Sequence, residues 1–280
     1  MRRFCLVCSL AITASFWTSS PKADSQSYGP FVAEAIRLER AVGRLSLVPA
    51  PDEAISIEIE GEEDALAAIE VEEKGDVVTL IGPANAAGAS AVVSGSVVTQ
   101  AIGPGARAQT VIGNQSVIAR GAAVGDGADG DDGAGPIHIT LHLPETIKLE
   151  AVDVALRSDG ERYEPALDVD LIRGSLTLAT LGPLTLRLSG SGVFRAERVS
   201  GSLELALDGN GQIMIGSGTV DEVDIQLAGN GQIRFDGVAE KGSIELTGNG
   251  VVHVAQINSA PEVNQSGVGA IRIGSRRVRP

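Results

Sequence analysis

The chain has 280 residues, with 36 Asp and Glu against 22 Lys and Arg and a formal net charge of −14. That balance excludes nucleic acid as a partner, because phosphate binding needs a basic footprint, and it disfavours an anionic membrane surface for the same reason. Aromatic residues make up 3 % and glycine numbers 35, which suits aliphatic layers and tight turns rather than an aromatic-centred core.

Residues 1–23 have the pattern of a secretory signal peptide. Arg2 and Arg3 form a positive start, an apolar run follows from Phe4 to Phe16, and small or polar residues lead to Ala23. The run is too short to span a bilayer. Cleavage near Ala23 would remove Cys5, Cys8 and Trp17, leaving a mature chain without a thiol. Disulfide, zinc-thiolate and cysteine-nucleophile chemistry are then unavailable. Val7 and Cys5 are poor flanks for lipidation at Cys8. No later stretch is long and apolar enough for a transmembrane segment, so the expected location is the periplasm or cell surface of a bacterium.

Residues 31–82 predict an N-terminal β part. Ile36–Val48 and Ala54–Glu60 alternate apolar and polar residues, Ala65–Glu72 suits a short helix or another strand, and Asp76–Ile81 closes the segment. Residues 83–136 change to Ala, Gly, Val and Ser and predict a flexible insertion, within which Ser94–Val98 and Gln109–Gly113 could form short strands. Asp126, Asp129, Asp131 and Asp132 near its end invite a calcium reading. Their spacing fits neither an EF-hand nor a Gly-rich nonapeptide repeat, which leaves a solvated acidic loop. Ile137–Leu143 alternates again and is ended by Pro144, which predicts a strand that lies at an edge or stops there.

The rest of residues 137–280 is dominated by a repeat. The triplets Gly190-Ser191-Gly192, Gly209-Asn210-Gly211, Gly229-Asn230-Gly231, Gly248-Asn249-Gly250 and Gly267-Val268-Gly269 recur at spacings of 19, 20, 19 and 19 residues. Leu188, Leu207, Leu227, Leu246 and Gln265 stand two residues before them; Phe194, Ile213, Ile233, Val252 and Ile271 stand two after. Each flank alternates with the period of a half-buried strand. A hairpin array would alternate too, but like residues fall into columns only when each repeat stacks on the next in register. The prediction is an all-β fold: a parallel β-helix, right-handed by the usual chirality of parallel crossovers, with coils of 19–20 residues. The glycines are expected to supply positive φ at the corner, with asparagine the next best residue in that region. Asn210, Asn230 and Asn249 would stack into an amide ladder. Gln265 and Val268 mark a terminal rung, and Arg272, Arg276, Arg277 and Arg279 belong to a basic tail.

Chemistry-bearing residues are few. His138 and His142 lie ~13 Å apart along one strand face, too far to share a metal, and His253 faces outward. One outward column contains Thr185, Glu204, Asp224, Ser243 and Glu262, in which Glu204 and Asp224 would sit ~5 Å apart, near the separation of a retaining glycosidase pair. Another contains Arg195, Met214, Arg234, His253 and Arg272, a charged stripe suited to an acidic glycan. Exposed strands carry such charges in any soluble protein, no aromatic platform accompanies them, and no cofactor or metal motif occurs.

The glycine columns, with Gly-Asn-Gly-Gln-Ile at 209–213 and 229–233, the strand ended by Pro144 and the N-terminal strand set together resemble the autotransporter-adhesin head GIN domain family. The resemblance covers residues 31–82 and 137–274. It implies a β-helical cell-envelope protein of adhesin type with no catalytic residues to carry over. The expected function is that of a non-catalytic structural, adhesion or binding module whose partner is a glycan or an envelope protein. The alternative is a polysaccharide-active enzyme using Glu204 and Asp224.

Overall fold

The computed structural model describes residues 24–83, 98–100, 108–112, 115–119, 137–158, 160, 162–274 and 276–278. The signal-peptide residues, both cysteines and the acidic loop at 126–132 lie outside the described residues.

The N-terminal segment runs through β1 (Asp24–Phe31), β2 (Ala35–Glu39), β3 (Val42–Pro49) and β4 (Ile55–Gly61). It continues through α1 (Glu63–Leu66), β5 (Glu70–Lys74) and β6 (Val77–Ile81). The ambiguous stretch 65–72 thus divides between the end of a one-turn helix, which buries Leu66, and the start of a strand. Within 83–136, β7 (Val98–Gln100), β8 (Ala108–Ile112) and β9 (Gln115–Ala119) pair antiparallel into a small sheet of their own.

The chain then enters β10 (Ile137–Leu143), β11 (Ile147–Arg157), β12 (Arg162–Tyr163), β13 (Leu167–Leu181), β14 (Leu184–Gly190) and β15 (Val193–Gly209). It ends through β16 (Gln212–Ile215), β17 (Gly218–Gly229), β18 (Gln232–Gly248), β19 (Val251–Ile257), β20 (Glu262–Ser266), β21 (Ala270–Ile273) and β22 (Arg276–Val278). From β11 to β21 every pairing is parallel, and Gly190, Gly209, Gly229 and Gly248 are register partners in turn. The fold is a parallel β-solenoid in which each coil returns after 19 or 20 residues to lie on the one before.

The reason is the alternation. In each rung the odd residues of the pattern point inward, so that Leu186, Leu205, Ile225 and Ile244 form one stack and Phe194, Ile213, Ile233, Val252 and Ile271 another, all essentially buried. Each fully buried aliphatic side chain contributes about 1.5–3 kcal/mol, which makes the stack the main source of stability. Gln265 breaks the leucine column at the last corner and donates Nε2 to the Gly269 carbonyl at 2.8 Å, while Val268 is 84 % exposed. The arginine-rich tail does not simply trail off: β22 folds back antiparallel on β21.

The N-terminal segment is part of the same stack. β2 pairs parallel with β6 and β11, and β3 pairs parallel with β11 and β10. β10 lies between β3 and the antiparallel β4, so the strand ended by Pro144 is internal. Of the two expected placements the edge is corrected, and the stop at Pro144 holds, since β10 ends at Leu143. Pro144 falls just beyond the last register pair, where its missing N–H costs no ladder bond.

Candidate functional site

Three sets of outward residues are candidates: the corner ladder and two lateral columns. At the corners the structure meets the expected positive φ at one glycine of each triplet and revises the cause for the other glycine and the asparagine. The first glycine of each triplet has positive φ, +122° at Gly229 for example, whereas the non-glycine positions with positive φ among the described residues are Arg40 and Asp153. The corner asparagines are therefore not left-handed. The second glycine is required by close approach: a Cβ on Gly231 would meet the Leu207 side chain and lie 2.7 Å from the Gly211 carbonyl oxygen. The amides bond along the stack, Asn230 Nδ2 donating to Asn210 Oδ1 at 3.3 Å and Asn249 Nδ2 to Asn230 Oδ1 at 3.2 Å. Backbone bonds run beside them, from Asn230 N to Gly209 O and from Asn249 N to Gly229 O.

The acidic column is continuous in register from Lys148 through Asp168, Thr185, Glu204, Asp224 and Ser243 to Glu262. Glu204 and Asp224 are thus nearest neighbours on adjacent strands. Partial burial, reinforced by Glu222 and Glu245, raises the Asp224 carboxyl above its usual range. Burial, then Asp170, raises Asp168, with Lys148 and Arg187 opposing. A shallow depression of about 240 Å³ lies on this face, lined by Lys148, Asp168, Asp170, Arg187 and Glu204 among others. Asp224 is not among the residues that line it. Lys148 instead neutralises the acidic side of the depression, with Nζ 2.6 Å from Asp170 Oδ2 and 3.6 Å from Glu150 Oε1.

The basic column is longer than its sequence pattern indicates. Arg195, Met214, Arg234, His253 and Arg272 are register partners in succession. Thr177, Arg157, Arg44 and His138 extend the same line toward the N-terminal end. Arg234 Nε donates to Asp236 Oδ2 at 2.6 Å, and His253 Nε2 lies 3.7 Å from Asp236 Oδ1. His138 Nε2 meets Ser46 Oγ at 2.8 Å. The N-terminal extension escaped sequence reading because residues 83–136 interrupt the period, and only the strand pairing brings Arg44 and Arg157 into line. Among the described residues no cluster of three or more His, Cys, Asp or Glu side chains could hold a metal ion.

Aligned side chains on open lateral faces define the class: a β-solenoid that displays columns of outward residues. Residues 171–277 match the model of the family described as "Putative auto-transporter adhesin, head GIN domain". The resemblance drawn from the Gly-Asn-Gly-Gln-Ile repeats is thus met over the C-terminal rungs, while residues 31–82 and 137–170 lie outside the matched stretch. No curated protein matches the chain. Among solved structures, a putative adhesin from Bacteroides fragilis NCTC 9343 is 14 % identical with a TM-score of 0.41, covering 91 % of this chain and 98 % of its own. One from Parabacteroides distasonis ATCC 8503 is 16 % identical at 0.42, with the same coverage. A putative lipid binding protein from the same organism is 12 % identical at 0.40, covering 90 % and 96 %.

Proposed function

We propose that the chain is an exported, non-catalytic β-solenoid of the bacterial cell envelope, an adhesion or binding module that presents its lateral faces to a glycan or an envelope protein. The observation that carries this reading is the parallel register from β11 to β21, which shifts at bulges near Val152, Gly201 and Phe235 yet keeps both outward columns in line and so suits an extended partner. The match of residues 171–277 to an adhesin head family supports it. In this reading residues 1–23 are removed on export, residues 31–82 and 137–280 form the head GIN-like domain, and 83–136 is an insertion into it. Intact-mass analysis of the native protein is expected to lack the first ~20–25 residues. A full-length product would contradict export.

One observation favours the enzymatic alternative: Glu204 and Asp224 are adjacent on the surface and Asp224 holds its proton more tightly than usual. A glycan-array screen paired with a reducing-sugar assay separates the two. The module reading predicts binding without sugar release. Release that disappears in Glu204→Gln would overturn it.

A further inference from the structure

The basic column has a second periodicity. Arg157, Arg195, Arg234 and Arg272 stand on β11, β15, β18 and β21, and Thr177, Met214 and His253 occupy the strands between them. Between β11 and β21 arginine therefore recurs on every second strand, a spacing of about 9–10 Å at ~4.8 Å per strand, while at the two ends Arg44 and Arg277 stand on the strands directly beside Arg157 and Arg272. All four lie on one line about 29 Å long, a span of six strand spacings. Among the described residues Arg157, Arg195 and Arg272 form no ion pair, and Arg157, Arg234 and Arg272 are exposed while Arg195 is half-buried.

The flanks of the column differ. On one side, two residues earlier along each strand, stand uncharged residues such as Ser175, Val193, Gln212, Gln232 and Val251, themselves aligned in register. On the other side, two residues later, Glu197 and Asp236 introduce carboxylates. An anionic chain laid along the arginines is repelled from the Glu197 side and settles over the uncharged one, where Gln212 and Gln232 offer amides to hydroxyl groups.

We propose that this face binds a linear acidic polysaccharide in which every second sugar carries a carboxylate, one arginine to each charged sugar. The proposal rests on the binding-module reading and names its ligand class. Two sugar rings of an extended chain advance by about the length of two strand spacings, so such a polymer places its charges in step with the arginines. Guanidinium matches carboxylate through two parallel hydrogen bonds, which makes arginine the suited partner. Nucleic acid fits poorly. Its phosphates are more closely spaced than the arginines, the described residues of the column include no Phe, Tyr or Trp for bases to stack on, and the net charge of −14 opposes a densely charged polymer.

The test is equilibrium binding of the native protein to hyaluronan, in which glucuronate alternates with N-acetylglucosamine, alongside dextran and single-stranded DNA of similar length. Hyaluronan is expected to bind and dextran not. The double variant R195Q/R272Q should bind hyaluronan about tenfold or more weakly with an unchanged melting temperature, because charge-assisted contacts are lost without any core contact. R157Q alone should weaken it less, and R162Q/K241Q, which removes two exposed cations elsewhere, should not change it. Equal weakening by the two double variants, preference for DNA, or no hyaluronan binding would each overturn the proposal. Binding of dextran that R195Q/R272Q leaves intact would overturn it while the module reading stood.

Discussion

Asp224 shows how the solenoid places charge where a globular surface would avoid it. Its carboxyl is partly buried and faces Glu222 and Glu245, so the folded state holds the proton more tightly than the unfolded chain does. A carboxyl raised on folding costs stability above its folded pKa, and the cost fades as pH falls toward the unfolded value, about 3.9. Asp224→Asn should therefore raise the melting temperature at neutral pH, and the gain should shrink as the pH is lowered through the carboxylate range. An unchanged difference from pH 7 to 4 would contradict the cause given. Gly231 poses the opposite problem. Its added methyl would meet the Leu207 side chain and the Gly211 carbonyl oxygen at 2.7 Å. Gly231→Ala should cost roughly 1–3 kcal/mol in chemical denaturation. The glycines were visible in the sequence as a period. Their separate causes were not, because recurrence alone does not distinguish a torsion from a contact.

At the scale of the element, the inward columns were legible and the N-terminal neighbours were not. Alternation identified Leu205 as inward; in the structure it is fully buried between its register partners Leu186 and Ile225. Leu205→Ala should cost about 2–5 kcal/mol, since the rungs above and below limit collapse of the cavity. Asn230→Ala removes both ladder bonds from an exposed site and should cost no more than about 1 kcal/mol. A larger loss would mean that the ladder, rather than the apolar stack, holds the corners. The position of β10 between β3 and β4 could not be read locally, because it depends on pairing across more than seventy intervening residues. The same long-range pairing concealed Arg44 and Arg157, neither of which carries a repeat signature. The left-handed corners of the earlier coils fall on Arg40 and Asp153, so no glycine announces them.

For the molecule as a whole, one continuous apolar stack joins rungs that each contact only their neighbours. A charge placed in its middle has no partner and no route to water. Leu227→Asp is accordingly expected to unfold the solenoid, and a variant that melts like the parent would contradict the inward assignment. The function proposed for the molecule follows from what such a stack leaves outside: aligned columns along open faces. The most direct test is to mix the native protein with excess hyaluronan and follow the mixture by size-exclusion chromatography with light scattering. The account predicts that protein and polymer elute together and that the recovered polymer keeps its original mass. Separate elution, or a polymer shortened by the encounter, would contradict it.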